Sequence, residues 1–182
     1  MRTRTIVAIV LGMLISPLSA FTQSSASEAS KEAKLLFVIE PTKSVFSKGE
    51  NVEFTFRLSN RASEKILVAK TFQLAHFVAL NIVDAEGKRM EWCGRIISQT
   101  DLPKAFVALS PHDSVSKKLV VSCVNKADPS RAWGYSLEGP GKYVVTGVYH
   151  LPQPKNFFKQ LSPKVIAIRG PVSSEPVTIE VR

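Results

Sequence analysis

From Lys34 onward short apolar runs follow one another, several with apolar residues at every second position, and no stretch of ten or more residues shows a strong helical period. Val52, Phe54, Phe56 and Leu58 are the clearest case, alternating with Glu53, Thr55 and Arg57. Successive side chains of a strand point to opposite faces, so this period buries one face of a sheet and wets the other. Further short runs predict strands at Leu35–Ile39 (ended by Pro41), Ile66–Ala69, Phe77–Val83, Lys88–Trp92, Phe106–Leu109, Val115–Val121, Lys142–Tyr149 and Val177–Val181. Polar or glycine-bearing segments at 48–51, 59–63, 84–87 and 139–141 read as the turns between them. Asp128-Pro129-Ser130 reads as the cap of one helical turn. The pattern implies one all-β domain over residues 34–182, an antiparallel sandwich or barrel of seven to nine strands. Hydrophobic residues make up 45% of the chain, enough to give such sheets a core.

The first 26 residues read as an address and not as part of that fold. Arg2 and Arg4 precede an apolar stretch of ten residues, Ile6–Ile15, and Pro17 and small residues follow. This is the layout of a secretory signal peptide, too short for the roughly 20 apolar residues of a membrane span. Cleavage fits after Ala20 or after Ala26, and Ser24-Ser25-Ala26 matches the small-x-small rule better. Residues 27–33 read as a flexible lead-in. No later segment is apolar enough to span a membrane. The expected location is therefore periplasmic or secreted.

Export changes the meaning of the two cysteines, Cys93 and Cys123. An even count in an exported domain suggests a disulfide. It would close a loop of about 30 residues, for which the chain-entropy model gives about 3.5 kcal/mol. The alternatives are two buried thiols or a metal pair, although no histidine or acidic cluster adjoins them to complete a zinc site. The formal net charge is +9, and about +7 once Arg2 and Arg4 leave with the leader. That balance suits solubility, and it also suits anionic polymers.

Leu137-Glu138-Gly139-Pro140-Gly141-Lys142-Tyr143-Val144-Val145 resembles the L-x-x-P-G-x-Y-x-V segment of bacterial exported immunoglobulin-like modules. Phe106-Val107-Ala108-Leu109-Ser110-Pro111-His112-Asp113-Ser114 is similar to the F-V-x-L-x-P-G-x-S stretch that precedes it, with His112 where glycine is usual. Phe46-Ser47-Lys48-Gly49-Glu50-Asn51-Val52 looks like the entry to the second strand of the same group. Such modules occur beside secreted metallopeptidases, and a related sandwich is found in proteinase-inhibitor-like proteins. The resemblance implies an immunoglobulin-like sandwich. Gly141 would start a strand, and Tyr143 would turn its ring inward and its hydroxyl to nearby backbone. It carries no catalytic residue across, because the peptidase domain is absent from this sequence.

Motifs that would name a reaction are missing. His76, His112 and His150 form no H-E-x-x-H, and there is no G-x-S-x-G and no phosphate-binding G-x-x-x-x-G-K-[ST]. Neither a metal nor a cofactor is expected, and the chain reads as a non-enzyme. Two segments stand out as contact surfaces. Residues 139–174 hold no acidic residue, and within them Pro152-Gln153-Pro154-Lys155-Asn156-Phe157-Phe158-Lys159 sets adjacent phenylalanines between lysines. Adjacent residues of an extended segment face opposite ways, so Phe157 and Phe158 cannot both face one core. Either one is a contact residue, with Lys155 and Lys159 beside it, or the two pack on separate parts of the sandwich. Lys70–Phe77, with Phe72 and Phe77, is the second segment, and folding back over the core is its alternative. Trp92 and Trp133 read as packing for the core or the disulfide. The function expected is an exported module binding another extracytoplasmic protein, possible proteinase inhibition included. The alternatives are a basic module for anionic envelope polymers or nucleic acid, and a structural assembly subunit.

Overall fold

The computed structural model describes residues 34–94, 106–124, 127–128, 131–137, 139–151, 165–168 and 170–182, all within one compact unit. The leader at 1–26 and the lead-in at 27–33 lie outside the described residues. The alternation in the second long run becomes β3 (Glu53–Asn60), in which Phe54, Phe56 and Leu58 are fully buried and Arg57 is exposed. β3 pairs antiparallel with β1 (Leu35–Pro41) on one side and β8 (Ser114–Val120) on the other. β8 is an edge, and its Lys117 sits opposite Phe56 yet is exposed. A charge in an inward-facing row of an edge strand discourages further strand pairing.

The second large sheet is built on β10 (Gly141–Tyr149). On one side it pairs with β5 (Val78–Asp84), on the other with β12 (Val172–Ser173) and β13 (Val177–Val181). Beyond β13 lies β2 (Val45–Phe46), running parallel to it. The inner faces of the two sheets meet where Phe37 of β1 lies 5.9 Å from Tyr149 of β10 between ring centroids. Phe37 also stacks on Phe56, which neighbours Phe54 and Phe72. Such aromatic pairs each add about 0.5–1.5 kcal/mol beyond the area they bury. The remaining strands are β4 (Lys65–Ala69) between β7 (Phe106–Leu109) and β11 (Val165–Ala167), and the pair β6 (Trp92–Gly94) with β9 (Trp133–Tyr135). Tyr149 ties β4 to β10, since its hydroxyl accepts the Ala69 N–H at 2.7 Å. Burial pushes that hydroxyl far above the ordinary tyrosine range, against the opposing pull of the Ala69 bond.

All regular elements among the described residues are strands, as the alternation predicts. Their number and direction differ from the expectation of seven to nine antiparallel strands. Among the described residues there are thirteen, with two parallel strand pairings, β2 with β13 and β4 with β11. Two of the additional strands, β2 and β12, are two-residue segments where the sequence predicts none. After Pro41 the chain leaves β3 and crosses to β13, which makes β1 and β2. At Ser174 the side-chain hydroxyl replaces a backbone acceptor for the Gly147 N–H, which separates β12 from β13. The return strand expected at Lys88–Trp92 is reduced to a single bridge between Val83 and Arg89, because Trp92 has left to pair with Tyr135. Asn60, expected in a polar turn, ends β3 and is buried. Its amide donates to the carbonyls of Glu64, Leu109 and Ser110 and its oxygen accepts the Ala62 N–H, so the buried polar group is satisfied. Asp128 starts a turn, its carbonyl accepting the N–H groups of Arg131 and Ala132; Pro129 and Ser130 lie outside the described residues.

At Gly147 the two large sheets lie too close for a side chain. A Cβ there would sit 2.7 Å from Phe37 Cε1 and 2.9 Å from Ile39 Cγ2. Gly147→Ala is expected to lower stability by about 1–3 kcal/mol through overpacking, measured as a fall in the urea midpoint. An unchanged midpoint would mean the sheets separate easily at this point.

Candidate binding groove

Of the residues singled out from sequence, Lys155, Phe157, Phe158 and Lys159 lie outside the described residues. Cys93 and Cys123 are bonded to each other, with Cα atoms 6.1 Å apart, inside the range that unstrained disulfides occupy. The bond is of the kind found in proteins of oxidising compartments. Tyr143 is buried, and its hydroxyl donates to Gly139 O at 2.7 Å, across the turn that Gly141 leaves with φ 149°. His112 takes the left-handed conformation usual for glycine, with φ 65°, so the Ser110–Asp113 turn forms without the glycine. Phe72 and Phe77 are fully buried, which removes them as a contact surface in this state. Trp92 and Trp133 are partly buried against the core. Among the described residues, no three His, Cys, Asp or Glu side chains gather as a metal site, and no helix is long and apolar enough to cross a membrane.

The concave surface that does form lies along β5. Asp84 caps the turn after that strand, its Oδ1 accepting the N–H groups of Glu86 and Lys88, and Gly87 takes φ 80°. The chain then returns beside β5 with few bonds, Met90 N–H to Ile82 O among them. It is drawn away by β9, where Ser136 N–H donates to Glu91 O and Trp92 packs edge-on against Tyr135 at 5.2 Å. β6 and β9 approach their neighbours too closely for side chains: a Cβ on Gly94 would collide with the Ala132 carbonyl, and one on Gly134 with the Ser122 carbonyl. Both glycines have positive φ, at 99° and 114°. The disulfide joins this small pair to the chain just past β8.

Two hollows flank the returning segment and share Arg89, Met90 and Glu91. One, of about 470 Å³, lies between the Asp84–Lys88 turn and the Gly139–Tyr143 corner. The other, of about 550 Å³, has Ala79 and Val148 on its floor and Met90, Trp92 and Tyr135 on its walls. Each volume is in the range of ordinary ligand clefts. The Arg89 Nε donates to Asn81 Oδ1 at 2.8 Å, which ties the returning segment to the floor. Asp84, Glu86 and Glu91 on the rim stand with Lys88, Arg89 and Lys142, so both signs of charge are represented equally. The second hollow combines apolar residues with the Arg89 and Glu91 charges at one side, the composition of a contact surface. Tyr135 also anchors the wall of that hollow: its hydroxyl accepts the Leu80 N–H at 2.8 Å, at the outer edge of β5. Burial raises the pKa of that hydroxyl, with the Leu80 bond and Arg89 pulling the other way.

No protein-family model matches the sequence, and no curated protein matches it. The groove was not visible in the sequence, where Trp92 reads only as packing and Arg89, Met90 and Tyr135 carry no signal. The nearest cue is the Trp92-Cys93-Gly94 triplet, which places an aromatic, a crosslink and a residue free to take positive φ side by side.

Tyr135→Phe removes the acceptor of the Leu80 N–H while keeping the ring beside Trp92. Stability is expected to fall by about 1–3 kcal/mol, the usual result of orphaning a buried donor. Chemical denaturation measures the fall, and amide exchange at Leu80 should quicken with it. Unchanged exchange would mean that water reaches this edge already.

Proposed function

We propose that the chain is an exported, non-enzymatic module that binds another protein outside the cytoplasm, built as an immunoglobulin-like sandwich. The observation that carries the binding reading is the hollow along β5 lined by Ala79, Val148, Met90, Trp92 and Tyr135, with Arg89 and Glu91 as its charged residues. The strand order supports the fold assignment. β1, β3 and β8 correspond to strands A, B and E of such sandwiches, and β5, β10 and β13 to C, F and G. β2 is then the second half of a split first strand, carried across to run beside G. The Tyr143 hydroxyl on Gly139 O supports it further, as a tyrosine at the start of strand F bonded to backbone upstream. Cys93–Cys123 is not the B-to-F staple of antibody domains, since it joins β6 to the chain past β8. Together with the leader, that bond supports export.

A second reading, a basic module for anionic polymers, is favoured by the absence of acidic residues from 139 to 174. Assembly by strand addition finds less support, because Lys117 guards the β8 edge.

The test is capture from an envelope extract of the producing cell by the mature protein at low and high salt. Ala79→Glu/Val148→Glu alters the groove floor, and Phe157→Ser/Phe158→Ser alters the acid-free segment. One protein, identified by mass spectrometry, kept at high salt and lost with the groove variant, is the expected result. Loss with the phenylalanine variant alone would move the site to that segment. Anionic material released by salt from every variant would favour the second reading, and capture of nothing would remove both.

A further inference from the structure

Between β4 and β5 the chain makes a tight loop, Lys70–Phe77, seated on the core by two aromatic side chains. Phe72 lies 6.2 Å from Phe56 and Phe77 lies edge-on to Phe106 at 5.7 Å, both fully buried. The loop is seated at some disadvantage. Phe72 and Ala75 have φ of 44° and 61°, where a Cβ crowds the backbone. Among the described residues, Thr71 Oγ1 and His76 Nε2 are shielded from solvent without a hydrogen-bond partner, although the His76 side chain as a whole is half-buried. Strained residues and orphaned polar atoms gathered in one loop mark a segment that other parts of the molecule must hold down.

His76 occupies the critical place. Its ring meets Phe77 edge-on at 4.4 Å. The end of β10 comes alongside, with the His150 N–H donating to Phe77 O at 2.9 Å. Among the described residues, His150 is the titratable group whose charge acts on His76. β7 contributes the Phe106 ring, through Phe77, and Lys70 on the loop itself is exposed. A proton added at Nε2 would therefore enter a site that offers it no acceptor, beside a second imidazole.

We propose that Lys70–Phe77 is an acid-released latch, seated at neutral pH and lifted from the core when His76 takes up its proton. Burial first, and then the His150 charge, hold the His76 imidazole below its ordinary range. It thus binds a proton less readily in the seated loop than in the lifted one. The seated state has its full stability above about pH 6.5, the value for an unhindered imidazole. It loses stability as the pH falls below that, until the seated imidazole itself titrates. Lifting also lets water reach Thr71 Oγ1 and frees Phe72 and Ala75 from their left-handed conformations, which offsets part of what release gives up, the burial of two rings and the His150 N–H bond to Phe77 O among it.

Amide exchange on the mature protein at about pH 7.5 and about pH 5, corrected for intrinsic rates, tests the latch. The reporters are Ala75, bonded to Val78 O, and His76, Phe77 and Val78, all bonded to Gln73 O. Their protection is expected to fall severalfold in acid while that of Val121 and Met90, bonded elsewhere in the molecule, holds. His76→Phe keeps a ring beside Phe77 and should make the loop equally protected at both values. Unchanged loop protection in the unaltered protein overturns the proposal, as does an equal loss at Val121 and Met90. Acid opening that persists in His76→Phe also overturns it, and the unaltered protein decides the matter if that variant does not fold.

Discussion

Phe37 lies over Gly147 so closely that no side chain fits between them, and the arrangement of both large sheets follows from that contact. β10 is the strand with the most partners, with β5 on one side and β12 and β13 on the other. The missing Cβ lets β1 settle on it and brings Phe37 to Tyr149. From Tyr149 the order passes outward, since its hydroxyl accepts the Ala69 N–H and so positions β4 and, through β4, β7 and β11. One close approach of backbone to ring thus organises three of the four sheets. Close-packed interiors transmit such constraints because they have no slack to absorb them.

The fourth sheet is organised differently. β6 and β9 are three residues each, too short to persist on their own. What holds them is the Cys93–Cys123 bond, two glycines in conformations closed to other residues, and the hydroxyl of Tyr135 on β5. The same devices close the outer edge of β5, where Met90 and Tyr135 occupy the backbone groups of Ile82 and Leu80. An exposed edge is a liability for aggregation. Here, covering it also creates the groove, because the covering segment stands off from the sheet on both sides.

The two ends of β5 contrast. The groove end is crosslinked and bonded. The Lys70–Phe77 end is held by buried rings and backbone hydrogen bonds, among them His150 N–H to Phe77 O, and it carries two residues with positive φ and, among the described residues, two buried polar atoms without a partner. In the sequence this second segment reads as a possible contact surface. In the structure its phenylalanines belong to the core, and its chemistry lies in the histidine between them.

The alternation of Val52 to Leu58, and of the runs like it, determined by itself that this is a β protein and which residues face inward, because strand geometry leaves no other use for a period of two. Spacing and chemistry also marked the Asp84–Gly87 turn, where a carboxylate, a glycine and a polar flank suffice locally. The count of two cysteines in an exported chain suggested the pairing of Cys93 with Cys123, and the structure decided it over two free thiols or a metal pair. Pro41 marked the end of the first strand, but tertiary structure alone decided that the chain then crosses to run parallel with the last strand, since Val45 and Phe46 carry no mark of that partner. It decided that Asn60 is buried, since the carbonyls that satisfy it come from Leu109 and Ser110, some 50 residues away. It also decided that Met90, Trp92 and Tyr135 share a wall. Local sequence records what a residue does to its own backbone, whereas a groove is a relation among segments that meet only after the core has closed.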